Sequence, residues 1–136
     1  MFKTKKNNFY DDLVVLLKKA IASFSKISVA AIIVTDKGIF KGVNYEDPVC
    51  PEGICAERNA IFNGITNGMK KIYEIHVISN IANISMCGAC RQVASSFSSS
   101  LTKVFTYTKG KPNYVKITSL NKLLPCQPFP SNRRRK

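Results

Sequence analysis

Three cysteines and one glutamate carry most of the chemistry this chain can offer. Cys55-Ala56-Glu57-Arg58 is followed, with 31 residues between Cys55 and Cys87, by Cys87-Gly88-Ala89-Cys90-Arg91-Gln92. Three thiolates can hold one soft cation and leave a fourth tetrahedral position for water, and a carboxylate beside that position can take a proton and return it. Such a set suits hydrolysis and exceeds what a purely structural site needs. Donors that are all cysteine favour zinc over hard ions such as magnesium.

The spacing supports one shared site. Cys87 and Cys90 are three apart at the start of a predicted helix, so their sulfurs share a face, while Cys55 opens another helix and adds a third. Two helix N-termini pointing at one place favour thiolate over thiol by roughly 0.3 to 1 kcal/mol each. Zinc with three thiolates carries a formal charge of about −1, which makes a bound water less acidic and harder to activate. Arg58 and Arg91 answer that difficulty. They are the only arginines outside the C-terminal run, and a guanidinium donating to a ligand sulfur withdraws charge from it. The alternative is a closed structural knuckle, with Cys50 or Cys126 completing the shell and Glu57 solvated.

Composition narrows the setting. The chain has 136 residues, 45% of them apolar, enough for one domain with its own core; residues 1–130 are read as that domain and 131–136 as a basic tail. Five cysteines is an odd number and no signal-peptide pattern is visible, so reduced thiols and a cytoplasmic location are expected. No apolar run reaches the roughly 18 to 20 residues that span a bilayer, since Lys18, Lys19 and Ser23 interrupt Leu13 to Phe24; a membrane partner is not expected. The net charge is +13, with four charges in Arg133–Lys136. Scattered lysine of this kind reads first as solvated surface and only second as a nucleic-acid interface.

The elements that must position these residues follow from periodicity. Phe9, Leu13, Leu16, Leu17, Ala20, Ile21 and Phe24 predict an amphipathic helix over 9–24. Val29–Val34 and Ile39–Val43 predict antiparallel strands around the turn Thr35-Asp36-Lys37-Gly38, and a proline-containing loop then leads into a helix from about Ile54 to Asn67-Gly68. Ile72–Ser79 predicts a buried strand, Ser85 a cap for a helix over 87–97, and Val104–Tyr107 and Tyr114–Ile117 two further strands. After Leu124 the prolines forbid regular helix, leaving a segment that lies on the surface or against a neighbouring subunit. The expected architecture is a three-layer α/β/α sandwich on a mixed five-stranded sheet. His76, alone of its type, sits in an apolar strand and is read as a core or edge residue, not a ligand.

Gly42-Val43-Asn44-Tyr45-Glu46, Cys55-Ala56-Glu57-Arg58 and Cys87-Gly88-Ala89-Cys90-Arg91-Gln92 together resemble, in order and distance, the three signatures of the small cytidine deaminases. Phe24-Ser25-Lys26-Ile27-Ser28-Val29-Ala30-Ala31 and Leu123-Leu124-Pro125 resemble further segments, so the likeness spans roughly residues 10 to 130. The resemblance implies that Cys55, Cys87 and Cys90 bind Zn2+, that Glu57 shuttles protons, and that Asn44 and Glu46 hold the ribose hydroxyls. It further implies attack of water at C4 of the pyrimidine, with Glu57 protonating N3 and then the departing ammonia. The substrate would be a nucleoside, cytidine or deoxycytidine converted to uridine or deoxyuridine in pyrimidine salvage, and the assembly a homotetramer. Cysteine as first ligand resembles the tetrameric, nucleoside-level branch more than the deoxycytidylate or guanine branches.

Four positions depart from the family pattern. Ile27 stands for a substrate-packing phenylalanine, Met86 for a proline and Cys50 for a tyrosine; Phe129 falls one residue beyond the spacing of a phenylalanine that reaches a neighbour's site. Ile27 and Cys50 keep open a modified or antibiotic cytosine nucleoside as substrate. The tail Arg133–Lys136 keeps open a nucleic-acid-binding or editing deaminase, against which Asn44 and Glu46 argue, since gripping a free sugar leaves little room for a continuing strand.

Overall fold

Seven consecutive uncharged residues, five of them branched or small aliphatics before Val34-Thr35, make β1 (Val29–Thr35) a strand that can be covered on both faces. The computed structural model describes residues 8–126 and places β1 inside the sheet. The expectations concerning Phe129, Pro128, Pro130, the run Arg133–Lys136 and a boundary at 130/131 lie outside the described residues.

Strand β2 (Gly38–Val43) pairs antiparallel with β1, from Thr35 opposite Gly38 to Ala30 opposite Val43. The connecting turn is held by Thr35, whose hydroxyl donates to the Gly38 carbonyl at 2.7 Å and accepts from the Lys37 amide. Gly38 takes a φ of +105°, a conformation a side chain disfavours. On its other edge β1 pairs antiparallel with β3 (Ile72–Ser79), which pairs parallel with β4 (Lys103–Thr108); β5 (Val115–Ser119) closes the sheet antiparallel to β4. The order is β2-β1-β3-β4-β5, the mixed five-stranded sheet expected from the sequence.

Alternation along β1 divides the core in two. Val29, Ala31 and Ile33 pack with Ala56, Ala60 and Ile61 of α2 (Ala56–Thr66) and with Cys90 and Ala94 of α3 (Gly88–Ser95). Ala30 and Ile32 face the other way, onto Leu13 and Leu17 of α1 (Tyr10–Leu17) together with Ile78 and Tyr107. Helices on both faces of one sheet are the α/β/α layering. Contact between β2 and α2 is backbone-close: a Cβ on Gly42 would lie 2.4 Å from the Ala56 carbonyl oxygen and the Ala60 nitrogen. Glycine at 42 therefore sets how near the strand leading to Asn44 comes to the helix that opens at Cys55.

Three element expectations need correction. The first helix stops at Leu17, not near Phe24. Lys18, Lys19 and Ala20 make tight i to i−3 hydrogen bonds, and the chain then extends: the Ile21 amide donates to the Asn44 carbonyl and the Glu46 amide to the Ile21 carbonyl. That pairing requires extended backbone and competes with continued helix; Ile21 and Phe24 are consequently exposed. Ser85 is not the cap of α3. Cys87 occupies that position, its Sγ accepting from the Cys90 amide at 3.5 Å. A short helix, α4 (Leu120–Leu123), follows β5 where no element was expected, with Ser119 as its cap.

Candidate active site and metal centre

Cys55 and Cys87 are both residues at which extended backbone turns into helix, with ψ of 151° and 162°. Their sulfurs therefore face the free N–H ends of α2 and α3. They lie 3.6 Å apart, and with the buried Cys90 one turn into α3 all three sulfurs fall within 4.8 Å of one another. Tetrahedral zinc with Zn–S bonds of ~2.3 Å needs sulfurs roughly 3.8 Å apart, so the cluster fits that ion with small adjustment. Neither Cys50 nor Cys126 joins it; both are exposed, and among the described residues the cluster has three sulfurs and no fourth. The closed-knuckle alternative thus lacks its closing ligand.

The electrostatics suit a cation. Hydrogen bonding from the Cys90 thiol, helped by Arg58 and Cys87 and opposed by burial, pulls Cys55 down to about 5. The same contact with Cys55, together with burial and the nearby Glu57, pushes Cys90 up. Three sulfurs in one place share protons unless a positive ion replaces them.

Glu57, in the first turn of α2, is buried, with Oε2 accepting from Cys90 Sγ at 3.9 Å. Desolvation raises its carboxyl to about 7, with the Cys55 thiolate adding to the rise and Arg58 opposing it. A buried carboxyl beside three sulfurs is equipped to hold and release a proton.

The two arginines part company. Arg58 Nη2 donates to Cys55 Sγ at 3.6 Å, as the charge argument anticipates. Arg91 makes its hydrogen bonds elsewhere: Nε to the Met86 carbonyl at 2.7 Å, Nη1 to the Leu123 carbonyl at 2.7 Å and Nη2 to Ser85 Oγ at 3.0 Å. No sulfur is among those partners, which correct the expectation that Arg91 relieves a ligand's charge. The side chain instead fastens the start of α3 to α4, because α4 brings free helix-end carbonyls within its reach.

Cys55, Glu57 and Cys87 line a cleft of about 720 Å³ together with Ile27, Val29, Asn44, Glu46, Cys50, Pro51 and Ile54. Asn44 is fixed in that wall by its amide, Oδ1 accepting from the Val29 nitrogen at 2.8 Å and Nδ2 donating to the Ile27 carbonyl at 2.9 Å; a second N–H remains to be offered. Glu46 is held by Ser25, whose hydroxyl donates to Oε1 at 2.9 Å. Ile27 lines the cleft as an aliphatic side chain and Cys50 lies at its rim. Sequence reasoning singled out neither Ser25 nor Ile84, which completes the wall; only their place in or near the quoted segments signalled them. His76 lies across the sheet, buried against Phe9, Phe105 and Tyr107, away from the sulfurs.

Comparison with known proteins decides the family. A family model described as the cytidine and deoxycytidylate deaminase zinc-binding region matches residues 3–108. The chain belongs to the cytidine and deoxycytidylate deaminase family. Cytidine deaminase of Mycoplasma genitalium is 40% identical over 95 residues, covering 68% of this chain and 73% of that protein. Cytidine deaminase of Sporosarcina psychrophila is 32% identical over 111 residues, or 79% of each chain. A crystal structure of cytidine deaminase from Burkholderia pseudomallei shares the fold with a TM-score of 0.80 at 29% identity, over 90% of this chain and 98% of that one. A deaminase zinc-binding region and a cluster of three cysteines compatible with zinc thus coincide in one chain.

Proposed function

We propose that this deaminase hydrolyses cytidine and deoxycytidine to uridine and deoxyuridine with release of ammonia, as part of pyrimidine salvage in the cytoplasm. One observation carries the reading: Glu57 meets the three-sulfur cluster, and Glu57, Cys55 and Cys87 line the same cleft as Asn44 and Glu46. Family membership and the cytidine deaminase relatives support it.

Cys55, Cys87 and Cys90 would hold the zinc, which would supply the positive charge that lowers the pKa of water at the site. Glu57 accepts a proton from the attacking water and delivers it to N3 of the pyrimidine, while the water oxygen bonds to C4. A second proton then passes through Glu57 to the amine on C4, which leaves as ammonia, and the C4 carbonyl remains. Arg58 draws charge from Cys55. Asn44 and Glu46, an amide and a carboxylate, suit the donor and acceptor sides of sugar hydroxyls.

The cleft favours a nucleoside over a nucleotide. Its lining carries the carboxylates of Glu46 and Asp47, and Arg58, already bonded to Cys55, is the only cation among the lining residues described. A phosphate or a continuing strand would meet repulsion there, which also speaks against nucleic acid as substrate. No described helix is long and apolar enough to cross a membrane. Exposed Phe24, Val49 and Phe62 are consistent with association into a homotetramer.

Purified protein with zinc content measured in parallel should convert cytidine, followed by its ultraviolet absorbance. Protein loaded with one zinc per chain that leaves cytidine unchanged would overturn the reading. Comparing kcat/KM across a nucleoside panel tests the substrate, and a clear preference for a modified cytosine nucleoside would displace plain cytidine.

A further inference from the structure

Ser25 stands on the cleft wall just beyond α1, at the point where the chain has paired with the loop carrying Asn44 and Glu46. Its hydroxyl donates to Glu46 Oε1 at 2.9 Å and accepts from the Ile27 amide at 3.0 Å. Its own amide faces both carboxylate oxygens, at 3.3 and 3.2 Å. A carboxylate only accepts, so every proton in this contact comes from Ser25.

The donor is itself held. Lys26 takes a φ of +60°, the turn that lets the Ser25 hydroxyl reach the Ile27 amide. Asn80 fastens that turn from the end of β3, donating to the Lys26 carbonyl at 2.8 Å and accepting from the Ser28 amide at 3.0 Å. Glu46 has several rotatable bonds and sits on a loop, and a carboxylate left free to swing must be ordered when substrate arrives.

We propose that Ser25 is a positioning residue for sugar recognition: it presets the Glu46 carboxylate, leaving that group's remaining lone pairs for a sugar hydroxyl. Through the Ile27 amide it also ties the sugar side of the cleft to the wall residue Ile27. The proposal rests on the reading of Glu46 as a sugar-binding group.

Steady-state kinetics on the full chain test it, using cytidine and 2′,3′-dideoxycytidine, which lacks the 2′ and 3′ hydroxyls of the sugar. Ser25→Ala should raise KM for cytidine about tenfold or more, the scale for losing a hydrogen bond to a charged group, with kcat within about twofold. KM for dideoxycytidine should stay unchanged, and Ser25→Thr, which keeps the hydroxyl, should restore cytidine binding. Combined with Glu46→Gln, Ser25→Ala should add little beyond Glu46→Gln alone. Equal losses on both nucleosides, or additive losses in the double variant, would overturn the role of Ser25 while leaving the deaminase reading intact. Wild-type protein inactive on both nucleosides would overturn the deaminase reading and this proposal with it.

Discussion

The Glu57 carboxylate approaches the Cys90 sulfur to 3.9 Å inside the core, although the two residues are 33 positions apart. They come from different helices, each entering the site by its first turn. Acid/base group and metal donors are thereby held by rigid elements and not by loops.

Separating proton transfer from metal binding follows from that relationship. Glu57→Gln keeps volume and a hydrogen-bonding capacity but no longer carries a proton, so activity should fall by about 10²- to 10⁴-fold with zinc content unchanged. Cys87→Ala should lose zinc and activity together. Metal analysis beside the cytidine assay checks both, and equal metal loss in the two variants would remove Glu57 from the role of proton carrier.

Arg58 and Arg91 should behave differently despite their similar settings in sequence. Arg58→Gln removes the donor to Cys55 Sγ and should weaken zinc affinity by about 10- to 100-fold, read by competition with a chelator. Arg91→Ala breaks hydrogen bonds to Met86, Leu123 and Ser85 and should lower the thermal midpoint while zinc affinity changes little. The reverse pattern would mean that Arg91 acts on the metal centre.

Gly42→Ala should destabilise the fold by about 1–3 kcal/mol or more, since its methyl group would meet the α2 backbone at 2.4 Å and backbone cannot yield as a flexible side chain does. Denaturant titration measures the loss. Gly68→Ala is a useful contrast, because nothing lies within 4 Å of a Cβ there and the cost would come only from its φ of +83°.

Stability should decline on mild acidification through His76. Burial holds its pKa below the ordinary 6.5, with the Glu74 carboxylate opposing that shift but not reversing it. The ring stacks on Phe105 and bonds Tyr107 OH at 2.9 Å through Nδ1, leaving Nε2 to donate to Glu74 at 2.8 Å. Because the unfolded chain takes up this proton more readily than the folded one, the contribution is complete above pH 6.5 and is lost as pH falls towards the lower folded value. The urea midpoint of wild type should therefore drop more steeply between pH 7 and 5.5 than that of His76→Gln. Parallel slopes would count against it.

Much of this was legible without coordinates. The unbroken apolar run Val29–Val34 announced a strand, and Cys55, Glu57, Cys87 and Cys90 pointed to a metal site with a carboxylate beside it, because sulfur donors and helix-start spacing restrict what such residues can do. The helix expected to run to Phe24 shows where local pattern fails. Apolar residues at 20, 21 and 24 fit helical spacing, yet backbone pairing of Ile21 with Asn44 and Glu46 prevails, and that partner lies over 20 residues away.

Residue type and spacing by themselves pointed to zinc, to a carboxylate beside its three sulfurs, and to the order of the five strands, since these depend on side-chain chemistry and short-range periodicity. Only the tertiary structure decided which arginine touches a sulfur, that Cys87 and not Ser85 caps α3, and that Ser25 grips Glu46. Each of those outcomes turns on where a hydrogen-bond donor ends up once distant segments pack. Ångström distances between such segments are set by the sheet and its two helical layers, not by any stretch of sequence read alone.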